Sequence, residues 1–345
     1  MKHGVGIFNV GMKGCKLRLL VAMCLGWALS SFGVTTPFRL SLDAVSGLSI
    51  TGAIGSAYTI QYSTNAAVTS SWRPLTIVSL SSTNRAWIPN SLLPKGAVGF
   101  YRALLGAPAP TNMMLIKAGS FVMGSPGTEF DRFNDEGPQT TVTFTHTIYV
   151  GLRLVTQGEY AAVTGTNPSL FTGDLNRPVE TVSWTEATNY CALLTHRELT
   201  AARIPVGWAF RLPTEAEWEY VCRAGTTNRF YFGEDLTYMQ LASNAWFADN
   251  SGGQTHAGGQ KPANPWGLYD MCGNVWEWCE DWYAPYPGGS ITDPLGTNAN
   301  SGIRILRGGS WQDDARFCRS AYRNADAPDT HYSFYGFRVV LAPVD

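Results

Sequence analysis

Charge is scarce in this chain. Asp, Glu, Lys and Arg make up 15% of 345 residues, too few for a coiled coil or a self-repelling disordered polymer. Histidine is scarcer still: His3, His146, His196, His256 and His331 never stand one helical turn apart, so paired-histidine zinc signatures are excluded. No apolar run reaches the ~20 residues that cross a bilayer, which leaves no stable membrane span. Acid is almost missing from residues 36–107, where Asp43 alone faces five Lys/Arg; residues 108–345 carry 25 Asp/Glu against 16 Lys/Arg. That acidic balance argues against nucleic acid as a partner of the larger part. The 36 Gly and 19 Pro follow no period, so collagen and low-complexity tracts are excluded and many turns are implied. What is present is 45% hydrophobic residues and 12 Trp, enough for a sizeable core in two domains or in one large domain with an appendage.

Lys2, Lys13, Lys16 and Arg18 precede the apolar run 19–29, which gives way to Ser30-Ser31-Phe32-Gly33. This layout predicts a secretory signal peptide over residues 1–33, cut near residue 33, and a secreted, periplasmic or cell-surface location. Cys15 and Cys24 leave with it. Cys191, Cys222, Cys272, Cys279 and Cys318 remain, and in an oxidising compartment they allow up to two disulfides and one leftover thiol, in pairings that sequence alone does not separate.

Residues 36–105 read as a small β-sandwich. In Tyr58-Thr59-Ile60-Gln61-Tyr62 the large apolar residues alternate, and turn clusters fall at Ser70-Ser71, Ser81-Ser82-Thr83-Asn84 and Pro94-Lys95-Gly96. No catalytic constellation lies there, so a spacer, an adhesion module or a solubilising accessory domain are the readings. Gly106-Ala107-Pro108-Ala109-Pro110 reads as a linker. In the second domain, 111–343, capping boxes mark helix starts: Thr156 with Glu159, Ser183 with Glu186, and Thr214 with Glu217. Ala187, Cys191 and Leu194 then share one helical face, as do Trp218, Val221 and Cys222, and both stripes read as core. After Ala224 the chain is rich in Gly, Asn and Trp, which predicts short helices on irregular, loop-rich β structure.

Six segments in order, Phe121–Ser125, Arg211–Tyr220, Gly267–Asp270, Gly273–Trp278, Arg307–Trp311 and Gly336–Arg338, resemble the sulfatase-modifying-factor family, whose founder is the formylglycine-generating enzyme. The resemblance spans about residues 111–343. It implies an α+β fold, a variant of the C-type lectin fold with little regular secondary structure. It also implies one of three activities: a copper oxidase that makes formylglycine, an iron enzyme that forms sulfoxides, or binding without catalysis. The iron branch needs a helical, histidine-supplying domain, and nothing upstream of residue 108 supplies one.

The oxidase branch holds Cu(I) between two cysteines five residues apart, just after Gly-Gly-Ser. Counting from Gly308-Gly309-Ser310, those positions fall on Asp313 and Cys318. A carboxylate is a hard oxygen ligand and Cu(I) a soft ion, so the sequence argues against Cu(I) here. Cys318 then reads as a buried small hydrophobe, a half-cystine or a reactive thiol. The resemblance also places Cys191 and Cys222 at disulfide positions whose partners are here Arg323 and Val339, so Cys191–Cys222 or Cys279–Cys318 become replacement candidates.

Asp270 and Glu277 flank a glycine turn, and hard oxygens of this kind suit Ca²⁺. The family resemblance implies a Ca²⁺ site with Asp270 and Glu277 ligating through side chains and Gly273 and Val275 through carbonyls. A second site would use Asn244, Ala245, Asn250 and Gly252, with Asp249 as a substitute ligand. The alternative is Asx-turn and cap chemistry. Three functions are open: a domain binding a peptide, protein or glycan in a cleft lined by Trp276, Ser310, Trp311, Asp313, Arg316 and Arg319; an oxidase pairing Cys318 with Cys272 or Cys279; or a structural surface protein. In the first, Trp276 is either cleft or core, and Arg319 either a ligand contact or a structural ion pair.

Overall fold

A computed structural model describes residues 5–12, 15–22, 39–43, 47–51, 57–63, 73–79, 85–88, 100–106, 112–201, 203–204, 207–296 and 301–344. The expected cleavage site, the three turn clusters of the small domain and linker residues 107–110 lie outside these. The chain divides into two compact units: residues 1–111 with 197–209 and 343–345, and residues 112–196 with 210–342. Segment 197–209, read from sequence as part of the large domain, groups with the smaller unit. Among the described residues no helix is long and apolar enough to cross a membrane.

In the first unit β1 (Val5–Met12) and β2 (Cys15–Ala22) form an antiparallel hairpin within the segment read as a signal peptide. The described residues from 39 to 106 are strands: β3 (Arg39–Asp43), β4 (Gly47–Thr51), β5 (Ala57–Ser63), β6 (Arg73–Ser79), β7 (Arg85–Trp87) and β8 (Phe100–Gly106). Two three-stranded antiparallel sheets result, ordered β3-β4-β7 and β6-β5-β8. The alternation in β5 sends Tyr58 and Ile60 to one face, where they are buried with Leu40, Leu48 and Ile50 of the other sheet and with Ile88 and Tyr101. Shared burial of two inner faces is what holds a small sandwich together.

The second unit opens with β9 (Met113–Ile116), β10 (Gly119–Met123), β11 (Thr140–Phe144) and β12 (Ile148–Gly151), followed by α1 (Gln157–Thr164), α2 (Trp184–Thr200), β13 (Trp208–Arg211), α3 (Glu215–Arg223) and the one-turn α4 (Leu241–Asn244), with the end of α2 and the start of β13 in the segment that groups with the first unit. Each expected capping box closes at a helix start. Thr156 and Glu159 cap α1, Ser183 and Glu186 cap α2, and Thr214 and Glu217 cap α3. The strands that follow are β14 (Trp276–Trp282), β15 (Gly289–Thr292), β16 (Arg304–Arg307), β17 (Arg323–Asp326), β18 (Tyr335–Gly336) and β19 (Val340–Pro343). β11 joins antiparallel β10 to parallel β15, and β12 pairs antiparallel with β9 and β19.

The sheet that positions the site is ordered β17-β16-β14-β18. β14 is central, antiparallel to β16 and parallel to β18, with Glu277 opposite Arg307 and Trp276 opposite Tyr335. Against this sheet α3 buries Trp218, Val221 and Cys222 together with Met271, Cys272, Cys279 and Cys318. The polar side of α3 is buried too, because arginines neutralise it. Glu215 takes both forks of Arg323 (2.6 and 2.8 Å), Glu217 those of Arg211 (2.6 and 2.7 Å), and Glu219 pairs with Arg223 (2.8 Å) and Arg307. Carboxylates at this depth are tolerated only with such charge-assisted bonds.

Candidate functional site

β16 ends at Arg307, and Gly308 (φ 101°) and Gly309 (φ 76°) turn the chain back in the left-handed region. A Cβ on Gly309 would stand 2.8 Å from Cys318 Sγ, so the turn needs glycine both for its backbone and for the thiol beneath it. The turn delivers Ser310 and Asp313, and a 3₁₀ turn over Ala315–Cys318 returns Cys318 to the core.

Asp313 is the hub. Its Oδ2 accepts hydrogen bonds from Trp276 Nε1 at 2.8 Å and from Ser310 Oγ, while its carbonyl accepts the Ala248 amide at 3.1 Å. Burial pushes its carboxyl above the ordinary aspartate value, against the pull of the Ser310 and Trp276 bonds. Cys318 is fully buried, and burial first, then neighbouring Asp313 and Cys222, push its thiol far up. It is held as a neutral thiol, which is a poor nucleophile and a poor metal ligand.

The expected cleft residues separate into two groups. Trp276 and Ser310 are buried, their polar atoms committed to Asp313. Arg319 does not line a cleft: it is buried between Glu129 (2.7 Å) and Glu136 (2.8 Å) and donates to the Asp131 carbonyl, a structural ion pair. Trp311 is half-buried, donates from Nε1 to the Ser333 carbonyl at 3.0 Å and meets Phe171 edge-on at 5.2 Å. Arg316 is exposed and lies over Phe317 at 4.9 Å. Sequence reasoning missed Tyr322, which packs on Trp276 (5.8 Å), Phe317 (4.8 Å) and Phe133 (5.1 Å). Phe133 is far away in sequence and carries no local signal.

The expected calcium loop is built differently from its ligand set. Gly273 (φ 75°) is required, because a Cβ there would fall 2.2 Å from the Trp246 carbonyl oxygen. Asp270 is buried, its Oδ2 accepts the Gly259 amide at 2.8 Å, and burial lifts its carboxyl to about 6. The Gly259 amide and the Arg338 and Arg153 guanidinium groups pull it the other way. Glu277 does not fit as a ligand, since both its oxygens accept from Arg338 (2.5 and 2.7 Å), whose guanidinium also donates to the Gly151 and Tyr269 carbonyls. At the second set, Asn250 Nδ2 donates to the Ala245 carbonyl at 2.9 Å and its Oδ1 accepts the Phe247 amide; Asn244 Nδ2 donates to Gln240. These are Asx and cap bonds. Gly252 (φ 65°) sits in the turn that follows, and Asp249 takes no part in these bonds. Among the described residues no group of three or more His, Cys, Asp or Glu side chains converges as metal ligands do.

The five core cysteines are all buried free thiols, so neither Cys191–Cys222 nor Cys279–Cys318 is bonded.

Residues 105–343 match the family described as the sulfatase-modifying factor enzyme 1-like domain. The chain is 36% identical over 183 residues to the formylglycine-generating enzyme of Streptomyces coelicolor, covering 48% of this chain and 53% of that one. It is 31% identical over 262 residues to the serine/threonine-protein kinase pkn1 of Chlamydia caviae, covering 67% of this chain and 38% of that one. The chain thus spans about half, or less, of the length of these two curated relatives. The solved structure of Treponema denticola variable protein 1 superposes with a TM-score of 0.59 at 30% identity, over 73% of this chain and 98% of that one.

Proposed function

The chain belongs to the sulfatase-modifying factor family, and from that premise we propose that it is an exported binding member of it, holding a peptide, protein or glycan beside Asp313 rather than oxidising a thiol. One observation carries the reading: where the oxidase branch would place a copper thiolate, Asp313 is tied by its Oδ2 to Trp276 and Ser310. A carboxylate so engaged supplies a hard oxygen and not the second soft sulfur that Cu(I) takes. Buried Cys318 has no free thiolate to offer a substrate. Half-buried Trp311 and exposed Arg316 present an aromatic face and a guanidinium fork of the kind that suit stacking and anion contacts.

Calcium belongs to this proposal as a stabiliser, held by Asp270 with the Gly273 and Val275 carbonyls, while Glu277 keeps Arg338 in place. The oxidase reading rests on the presence of Cys272, Cys279 and Cys318 in one core cluster. The test is a Cu(I) competition titration, with mass spectrometry of a Cys-x-Pro-x-Arg peptide incubated with the protein, with Asp313→Cys and with Cys318→Ala. Weak Cu(I) binding and no aldehyde from the unaltered protein are expected, with a gain of Cu(I) affinity in Asp313→Cys. Aldehyde formed faster than by Cys318→Ala would restore the oxidase.

A further inference from the structure

The fully buried arginines Arg319 and Arg338 of the larger unit each hold a carboxylate. Among the described residues no carboxylate forms an ion pair with Arg153, Arg177 or Lys261, and all three meet along one loop, residues 251–261. Arg177 Nη1 donates to the Thr255 carbonyl at 2.6 Å, and Nη1 and Nη2 both donate to Gln254 Oε1 at 3.1 Å. Arg153 is exposed and lies along Gly258 and Gly259. A Cβ on Gly259 (φ 82°) would stand 2.7 Å from Arg153 Nε, so glycine lets the guanidinium rest on bare backbone. Lys261 Nζ donates to the Ala242 carbonyl at 2.6 Å and stands 3.9 Å from the centre of the Trp246 ring. His256 stacks on that ring at 3.8 Å; at these distances the two cannot share a face, so Trp246 is sandwiched. His256 adds no charge of its own. Its Nε2 donates to the Ser251 carbonyl at 2.7 Å, and burial, opposed by that bond and joined by Arg177 and Lys261, holds the ring below the ordinary histidine value. Two carboxylates nearby are engaged: Asp174 accepts from the amide and side chain of Asn176, both at 2.9 Å, and Asp270 from the Gly259 amide at 2.8 Å.

From this row of cations we propose that loop 251–261, with Arg153 and Arg177 beside it, binds an acidic polysaccharide, a chain carrying carboxylate or sulfate groups. Residues 108–345 hold 25 Asp/Glu against 16 Lys/Arg, so three cations left without carboxylates make a local positive surface on an acidic domain. A guanidinium fork takes two oxygens of a carboxylate or sulfate at once, and the ammonium takes a point charge. The cations meet the loop at 254–255, at 258–259 and at 261, a row rather than a single pocket. A polymer with repeated charge engages all of them, which one small anion does not. Arg153, Arg177 and Lys261 lie in loops outside the named strands, so a peptide finds no strand to extend there. The loop adjoins Asp313: Ser251 Oγ donates to the Trp311 carbonyl at 2.7 Å, and the Ala248 amide to the Asp313 carbonyl at 3.1 Å. The proposal rests on the binding reading above in taking a glycan as the ligand, but none of its cations touches Asp313.

The experiment titrates the full chain by isothermal calorimetry, at low and at physiological salt, with a heparin oligosaccharide, an oligogalacturonate and a neutral malto-oligosaccharide. Binding of the sulfated or the carboxylated chain, weakened by salt, with none of the neutral one, is expected. Arg153→Gln and Lys261→Gln should each weaken it about threefold to fivefold, and Arg177→Gln at least as much. Lys117→Gln, at an exposed cation between β9 and β10, should leave it unchanged. Circular dichroism verifies each fold. Should Arg177→Gln not fold, since it also loses the Thr255 bond, the Arg153→Gln, Lys261→Gln double variant carries the test. No binding of either acidic chain at low salt, an equal loss in Lys117→Gln, or tighter binding of a poly-glutamate peptide than of both chains overturns the proposal. The copper titration and aldehyde assay decide the binding reading separately, because aldehyde formation would remove that reading without altering the polysaccharide titration.

Discussion

Replacing Asp313 by Ala removes the acceptor that two buried donors share, Trp276 Nε1 and Ser310 Oγ. A buried donor left without a partner costs about 1–3 kcal/mol. The Ser310 hydroxyl can rotate towards another acceptor, whereas the indole N–H is fixed by its ring, so Trp276 carries most of the loss. Against this, the variant removes a carboxylate whose burial is unfavourable, as its raised pKa records. The net expectation is a destabilisation of about 2 kcal/mol, or a fall of about 1 M in urea midpoint at the slopes usual for urea. Asp313→Asn keeps one oxygen and should recover at least half of it. The assay is urea unfolding followed by tryptophan fluorescence, with Ser310→Ala added to complete a double-mutant cycle. An Asp313→Ala midpoint equal to that of the parent, or additivity with Ser310→Ala, would refute the shared-acceptor argument.

Asp281 offers a pH test. Burial, then the neighbouring Glu215 carboxylate, lift it from 3.8 to about 7, although the Glu215 and Gly296 amides pull it down. The folded protein therefore keeps a proton that the unfolded chain gives up near pH 4. Its stability contribution is full below that pH and falls by about 4 kcal/mol as pH rises to about 7; Glu217, Arg211 and Arg304 share this field. Asp281→Asn should flatten that slope in pH-dependent urea unfolding, and an unchanged slope would place the proton elsewhere. Calcium at a hundredfold excess over Kd should stabilise the fold by about 2.7 kcal/mol through mass action and so raise the melting temperature, with chelator reversing it and Asp270→Asn abolishing it. Equal melting curves in calcium and chelator would leave the loop to its own hydrogen bonds.

What sequence disclosed well was chemistry confined to a few neighbouring residues. The capping boxes at Thr156, Ser183 and Thr214 close within one turn, and Tyr58 and Ile60 alternate within one strand. Asp313 and Cys318 were reached by counting from Gly308-Gly309-Ser310 as the family resemblance implies. Partners remote in sequence were not. Arg319 was open as a ligand contact or a structural ion pair, because its carboxylates, Glu129 and Glu136, lie 190 and 183 residues away. Glu277 suggested a metal ligand, and Arg338, 61 residues on, takes that place. The cysteine pairings failed for the same reason, since Cys222 meets the Met271–Cys272 loop and not Cys191.

The arginine-clamped helix α3 also bears on how this protein is made. Glu215 and Glu219 are fastened by Arg323 and Arg307, which leave the ribosome about a hundred residues after the helix does. Until then Glu215 lacks its arginine and Glu219 has only Arg223 of its own helix, so the nascent segment has reason to stay at the surface of whatever has collapsed. The larger unit is thus completed late in synthesis, once β16 and β17 have emerged, and a chain halted before Arg307 would present an acidic helix to the folding machinery in place of a finished core.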